Sequence, residues 1–155
     1  MMMTTGRGEL DDARTEPDGT PGRGWRLLMT LPAESLSVRL ARQAARLVLT
    51  AWWLAQMEGT AVLIVSELVT NAVRHARGTD VIAVDLHAAP TWLRIEIQDT
   101  DRHWPQPRIP DGFDESGFGF ILVEALASNW GVRETDAGKA VWAEIDTRQG
   151  SGPAI

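Results

Sequence analysis

Two pairs of short segments with alternating apolar and polar residues constrain the fold of this chain most strongly. The first pair is Val81–His87 and Trp92–Gln98, and the second is Asn129–Glu134 and Lys139–Asp146. A short link joins the first pair, and the turn residues Asp136–Gly138 separate the second. Links this short join antiparallel neighbours. The sequence therefore predicts two β-hairpins.

A further strand and a first helix are predicted upstream of these hairpins. Trp25–Leu31 alternates like a strand, and Pro32 ends it. Ser35 is a suitable N-cap for a helix that runs to about Trp53. The residues with helical spacing that we expect to face the core are Leu36, Leu40, Ala44, Leu47 and Val48.

Two more helices complete the predicted architecture. One follows the break at Gly59 and Thr60, and the other opens at Gly117 and runs to about Ser128. The order strand, helix, helix, strand, strand, loop, helix, strand, strand is typical of one sheet with its helices on a single face. The predicted fold class is therefore α/β, an α+β two-layer sandwich with a mixed, mostly antiparallel sheet.

The length of 155 residues predicts a single ordered domain, which we place at residues 25–146. Residues 1–24 are rich in Gly, Thr, Asp, Pro and Arg and lack apolar periodicity, which predicts a disordered leader. The tail, residues 147–155, is expected to fray. The irregular segment Asp99–Ser116 contains several prolines, and interior loops of that length are usually functional.

Composition excludes several classes of function. The formal charge of −6 argues against general nucleic-acid binding, which usually requires a basic face. The chain has no cysteine, so disulfides, thiolate metal sites and cysteine nucleophiles are excluded. No apolar run is long enough to span a bilayer and no signal pattern is present, so a cytoplasmic location is expected.

The second predicted helix carries polar residues in a pattern that suits metal and phosphate chemistry. Glu67, Asn71 and His75 are four residues apart and therefore project from one face. A carboxylate and a carboxamide one turn apart offer oxygens to Mg²⁺ and its hydration shell. The alternative is an ordinary amphipathic helix whose polar face is solvated.

Two other pieces of the chain add to this pattern. Asp99 ends the strand Leu93–Asp99, and Gly117 and Gly119 lie at a predicted helix start. Glycines at a helix N-terminus let the free N–H groups approach a phosphate. Each feature alone is common in ordinary turns, but the ordered set is far more specific than any member.

Taken together, the set resembles the GHKL (Bergerat-fold) ATPase superfamily. Within it, the chain is similar to the small single-domain anti-sigma factor/serine kinase group common in actinobacteria. The resemblance rests on Glu67–Ala76, on Gly117–Ala127 and, more modestly, on Gly138–Ile145. It covers roughly Trp25–Asp146, which is nearly the whole predicted domain.

The resemblance implies ATP and Mg²⁺ as cofactors. Asn71 would coordinate Mg²⁺, and Glu67 would act as the general base. Asp99 would accept a hydrogen bond from the adenine amino group. Gly117 and Gly119 would line the phosphate path beneath a lid formed by residues 101–116.

Two basic side chains have roles that the sequence leaves open. His75 is either a phosphate contact or an ordinary helix-end cap. Lys139 either reaches a phosphate or occupies a solvated strand position, and the latter is the ordinary expectation for a strand residue after a turn. The resemblance also implies protein partners: a serine on an anti-sigma factor antagonist, or a sigma factor, with a homodimer as a further possibility.

Three departures from the family pattern keep other functions open. Asp101 replaces the first glycine of the usual Asp-x-Gly-x-Gly motif, Ala140 stands where threonine is frequent, and Phe118 stands where the group often carries arginine. A non-catalytic binding module with this fold is therefore the main alternative. A detached histidine-kinase-type ATPase module is a third, disfavoured because no dimerisation helix is evident.

Overall fold

The computed structural model describes residues 2–9, 23–75, 78–101 and 116–150. Within these ranges the chain forms six strands, three α-helices and two short 3₁₀ turns, Ala55–Met57 and Thr147–Gly150. The strands are β1 (Met2–Glu9), β2 (Arg23–Pro32), β3 (Val81–Ala88), β4 (Trp92–Asp99), β5 (Asn129–Glu134) and β6 (Lys139–Asp146). The α-helices are α1 (Ser35–Ala51), α2 (Glu58–His75) and α3 (Ser116–Leu126).

The described strands form one sheet in the order β1-β2-β3-β4-β6-β5. The predicted two-layer α/β fold is confirmed, as are both hairpins. Every strand pairing is antiparallel, so the expected mixed sheet is a purely antiparallel one. The reason is that two α-helices, α1 and α2, lie between β2 and β3, and two described elements, α3 and β5, lie between β4 and β6. Each such pair returns the chain to the end of the sheet that it left, so the next strand runs antiparallel to the previous one.

The predicted disordered leader is wrong for its first part. Met2–Glu9 forms β1, which pairs with β2 along its whole length, from Met2 opposite Thr30 to Glu9 opposite Arg23. An edge strand is held by backbone hydrogen bonds, so it does not need the apolar periodicity on which the prediction depended. Residues 10–22 and 151–155 lie outside the described part of the chain, and the first residues of the predicted tail form a 3₁₀ turn.

The core lies between the helices and one face of the sheet. Alternate residues of three adjacent strands are buried there: Leu27, Met29 and Leu31 of β2, Ile82, Val84 and Leu86 of β3, and Leu93, Ile95 and Ile97 of β4. Helix α2 contributes Ile64, Val65, Leu68 and Val69 to this core. It packs against α1, α3 and β4, and is therefore the central helix of the layer.

The stripe predicted for α1 is right in part, because Ala44 and Val48 are buried. The buried residues of α1 are Ser37, Ala41, Ala44, Ala45, Val48 and Leu49. Leu36 and Leu47, predicted to be buried, are 59% and 71% exposed. Small alanine side chains let α1 approach the layer closely, so the larger apolar residues do not mark the buried face. Ser35 is the first helical residue, and the N-cap is Glu34, which makes no side-chain capping bond.

The end of α1 is a sharp reversal with an unusual residue in it. The Leu54 N–H donates to the Leu49 carbonyl at 2.7 Å, and the Trp53 N–H donates to the Thr50 carbonyl at 3.2 Å. This is the bonding of a Schellman motif, in which the left-handed residue is usually glycine. Here it is Trp53, with φ of 60° and 89% of its surface exposed.

Among the described residues, no helix is both long enough and apolar enough to cross a membrane.

Candidate nucleotide-binding site

The candidate site is built where β4 ends beside the start of β6. Asp99 and Lys139 lie directly opposite each other in the β4–β6 register. Their side chains meet in a buried ion pair, in which Lys139 Nζ donates to Asp99 Oδ1 at 2.9 Å. Asp99 and Lys139 are only 6% and 5% exposed. The expected solvated position of Lys139 is therefore wrong, because its strand places it on the inner face beside a carboxylate.

Asp101 joins this pair from the residues that follow β4. Its backbone N–H donates to Asp99 Oδ1 at 2.8 Å, and its carbonyl oxygen accepts from Lys139 Nζ at 3.1 Å. The Asp101 carboxylate lies 3.9 Å from the same ammonium group and is also buried. One ammonium group thus faces two carboxylates in a site from which water is largely excluded.

The turn between β5 and β6 packs against the backbone of Asp99 and Thr100. A Cβ atom at Gly138 would lie 2.2 Å from the Asp99 carbonyl oxygen and 2.6 Å from Thr100 Cα, so only glycine fits there. The turn is closed by two hydrogen bonds: Thr135 N–H donates to the Gly138 carbonyl at 3.0 Å, and Gly138 N–H donates to Thr135 Oγ1 at 2.9 Å. The backbone around Asp99 is therefore held by close contact with this turn.

The residues that follow α2 are hydrogen-bonded to the residues that follow β4. The Thr100 N–H donates to Thr79 Oγ1 at 3.2 Å, and the two threonine hydroxyls lie 3.0 Å apart. Helix α2 ends at His75, a few residues before Thr79, and packs against β4. The C-terminal end of α2 and the end of β4 are therefore held together.

The three polar residues predicted on α2 differ in their exposure. Glu67 and Asn71 are partly buried, whereas His75, the last residue of the helix, is exposed. The Asn71 side-chain nitrogen is buried and has no hydrogen-bond partner among the described residues. A buried polar atom without a partner is costly, and such groups are retained mostly where a ligand or water satisfies them. Asn71 is therefore the α2 residue with the clearest sign of a binding role.

Asn71 also suits the metal that the resemblance implies. Among the described residues, no three His, Asp or Glu side chains are grouped so as to hold a metal ion. Mg²⁺ bound with a nucleotide does not need such a group, because it takes one or two protein oxygens and completes its shell with phosphates and water. A single carboxamide oxygen on α2 is compatible with that mode of binding.

The glycine-rich segment lies at the start of α3. Gly117 and Gly119 belong to the first turn of this helix, which begins at Ser116 and packs against α2. The first N–H groups of a helix have no partner within it, so this turn offers donors to an anion. The predicted lid falls almost entirely on residues 102–115, which lie outside the described part of the chain.

A second charged cluster lies on the sheet face opposite the helices, and no sequence pattern predicted it. Arg26 donates to both oxygens of Asp85, at 3.0 and 2.6 Å, and His87 Nε2 lies 3.1 Å from the same carboxylate. Burial raises the pKa of Asp85, but the contacts with His87 and Arg26 outweigh it and lower the pKa below its ordinary value.

The same face continues with an aromatic and arginine layer. The Arg94 guanidinium stacks 4.3 Å from the centre of the Trp142 ring, and Arg133 pairs with Glu96. The Trp142 ring lies against Gly131, where a Cβ would be 2.8 Å from it. These contacts satisfy charges within the protein and lie on the opposite side of the sheet from Asp99.

The fold is that of an ATPase domain of the GHKL type. The family model of the histidine kinase-like ATPase domain matches residues 31–145, and the chain belongs to this family. The family's description indicates ATP as the ligand. The predicted superfamily is thereby confirmed, whereas the anti-sigma factor group within it stays a prediction.

One solved structure similar to this chain is the histidine kinase domain from the blue-light activated histidine kinase of Erythrobacter litoralis EL346. The two are 18% identical, with a TM-score of 0.48. The match covers 77% of this chain and 63% of that one. No curated protein matches the chain.

Proposed function

We propose that this protein binds ATP together with Mg²⁺ and transfers the γ-phosphoryl group to a serine of a protein partner. The observation that carries the proposal is the buried Asp99 carboxylate at the end of β4. Lys139 and the Asp101 N–H hold it in place by hydrogen bonds. A carboxylate held in this way suits recognition of the amino group of a base. The buried Asn71 side-chain nitrogen on α2, which has no partner among the described residues, adds a donor that suits a phosphate or water oxygen.

The proposed reaction assigns one step to each residue. The seryl oxygen attacks the γ-phosphorus while Glu67 takes its proton, and the bond between the γ-phosphorus and the bridging oxygen breaks, releasing ADP. Asn71 would hold Mg²⁺, which neutralises phosphate charge when bound. Gly117 and Gly119 in the first turn of α3 would let backbone N–H groups approach the phosphates.

The proposed acceptor is a serine on an anti-sigma factor antagonist, with a sigma factor as the second partner. This part of the proposal depends on the resemblance of Glu67–Ala76 and Gly117–Ala127 to the small anti-sigma factor/serine kinase group. Phosphorylation of the antagonist would then decide which partner the protein holds, and so control transcription.

A second function, a non-catalytic binding module, is favoured by one observation. Asp101 occupies a motif position that is usually glycine, and it brings a second carboxylate to within 3.9 Å of the ammonium that holds Asp99. The Asn71→Ala variant of such a module would bind the partner as tightly as the unaltered protein does. A partner complex that depends on nucleotide would exclude it.

Calorimetric titration with ATP, with and without Mg²⁺, tests the proposed site. We expect micromolar binding that strengthens with Mg²⁺ and is lost in Asp99→Asn. Asp85→Asn is the matched control, because Asp85 is an equally buried aspartate on the opposite sheet face. Absence of binding by the unaltered protein would contradict the proposal.

Transfer of radiolabelled γ-phosphate to purified antagonist proteins of the same organism then tests the reaction. We expect acid-stable label, because phosphoserine survives acid and phosphohistidine does not. Acid-labile label would instead support a histidine-kinase-type module.

A further inference from the structure

We propose that the exposed face of α1 is a docking surface for a protein partner that presents an acidic amphipathic helix. The features that carry this inference are a stripe of arginines along α1, exposed leucines beside it and a strained tryptophan at its end. The inference goes beyond the proposed function, since the surface does not include any residue of the candidate nucleotide site.

The arginines give α1 a charge opposite to that of the whole chain. Arg39, Arg42 and Arg46 are three and four residues apart, so they lie on one face of the helix, and all three are exposed. The helix contains no acidic residue, whereas the chain has a formal charge of −6. Arg46 pairs with Glu58 at 3.3 Å. Neither Arg39 nor Arg42 forms an ion pair within the described part of the chain, so both are available to carboxylates of another molecule.

Exposed leucines lie beside the arginine stripe. Leu36 and Leu47 are eleven residues apart, which is about three helical turns, so they project from the same side of α1. Both are more than half exposed. The arginines border an open groove of about 460 Å³, which is also lined by Ser35, Val38 and Gln43. A partner helix with an apolar stripe and an acidic flank matches this face.

Trp53 follows the end of α1 in a conformation that does not favour tryptophan. Its left-handed φ of 60° is one in which glycine is usual, and its side chain is exposed, so it adds little packing. Strained backbone positions are retained mostly at functional sites. Tryptophan and arginine are also among the residues that most often dominate the binding energy of a protein interface. Trp53 therefore suits an anchor for a partner that lies along α1.

An acidic helix fits this face better than an anionic membrane or a nucleic acid does. A bilayer or a nucleic acid extends beyond α1 and brings its negative charge close to the rest of the protein, whose formal charge of −6 repels it. A single acidic helix contacts α1 alone. Complementary charge of this kind steers association and is screened by salt, so the complex weakens as salt is added.

The probe for this surface is a synthetic helical peptide with leucine at every third or fourth position and glutamate elsewhere. Its binding to the full chain is measured by fluorescence anisotropy of a dye on the peptide. We expect binding that weakens as salt is added. Arg42→Glu should weaken it about fivefold, the effect of reversing one exposed charge. A peptide with lysine in place of glutamate should not bind.

Trp53→Gly separates recognition from folding. We expect it to weaken peptide binding by about tenfold or more, as for an interface anchor, and at the same time to raise the melting temperature. Arg74→Glu is the matched control for Arg42→Glu. Arg74 is an exposed arginine on α2 that forms no ion pair with the described residues. The control should leave peptide affinity within about twofold of that of the unaltered protein.

Two results would overturn the proposal with this probe. One is absence of binding of the acidic peptide at low salt, and the other is equal peptide affinity in Arg42→Glu, Trp53→Gly and the unaltered protein. Flotation with vesicles of phosphatidylcholine and phosphatidylglycerol tests the membrane alternative. Vesicle binding that Arg42→Glu abolishes would overturn the proposal in favour of a membrane surface. All of these measurements are made without nucleotide, so their failure is distinct from a failure of the titration with ATP.

Discussion

At the scale of single residues, the candidate site is held together by the buried ion pair between Lys139 and Asp99. Asp99 lies at the end of β4, where the sequence placed it, and its contact with adenine is a proposal that comes from the family resemblance. Its ion pair with Lys139 depends on the pairing of β4 with β6, two strands that are distant in the sequence. Motif reasoning treats Lys139 alone, so it missed a partner that only the strand register supplies.

The role of Glu67 is tested at this scale by Glu67→Gln. We expect phosphoryl transfer to fall by about 10²–10⁴-fold, the usual contribution of a general base, while the ATP dissociation constant stays within about twofold. Glu58→Gln is the control, because Glu58 lies at the other end of α2 and pairs with Arg46. Loss of ATP binding in Glu67→Gln would show that Glu67 has a structural role.

The close approach at Gly138 makes a second residue-scale prediction. Gly138→Ala should lower the free energy of unfolding by about 2 kcal/mol, because the added methyl group meets the backbone of Asp99 and Thr100. Gly59→Ala is the control: it lies in the first turn of α2, and a Cβ there meets no atom within 4 Å. It should be neutral or stabilising. Urea unfolding measures both, and equal effects would contradict the steric argument.

At the scale of elements, the strands were easier to predict than the helix faces. The predicted bounds of β5 and β6 agree with the structure to the residue, because alternation and a turn signal define both ends. The stripe predicted for α1 was right for Ala44 and Val48 but wrong for Leu36 and Leu47, because small residues that carry little hydrophobic signal are buried on this helix. Strand β1 was missed because backbone pairing leaves no trace in side-chain periodicity.

The reversal at the end of α1 predicts a stabilising substitution. Trp53 adopts a left-handed φ of 60°, which costs a non-glycine residue about 1–2 kcal/mol. Trp53→Gly should therefore raise the free energy of unfolding by about 1 kcal/mol, with little packing lost because the side chain is exposed. Trp53→Ala is the control, since it removes the indole and keeps the strained φ. Denaturant unfolding should show a gain for glycine and none for alanine.

At the scale of the whole molecule, we expect the free energy of unfolding to fall at low pH, because Asp85 on the sheet face opposite the helices becomes protonated. The folded-state pKa of Asp85 is lowered, so this group stabilises the protein above its unfolded pKa of about 4. That stabilisation is lost as the pH falls from the unfolded pKa through the folded one. Melting temperature measured from pH 6 to pH 2 should drop less steeply in Asp85→Asn. An identical slope would contradict the assignment.

The overall fold and the family follow from the sequence far more directly than the biological role does. Hairpin spacing, helix periodicity and the Glu67–Ala76 segment define the two-layer domain, and the family match over residues 31–145 agrees with them. A protein partner would be recognised by surface residues, and no local sequence pattern indicates which partner they fit. Transfer to an antagonist therefore stays a proposal until a partner is tested.

The burial of the sole lysine has a consequence for the chemical reactivity of the whole molecule. Lys139 is 5% exposed, lies within 4 Å of two aspartates, and is the only lysine in the sequence. Amine-directed dyes and crosslinkers would therefore find no accessible side chain in the folded protein and would couple only at its amino terminus. Modification of Lys139 would report that the β5–β6 turn had separated from the end of β4.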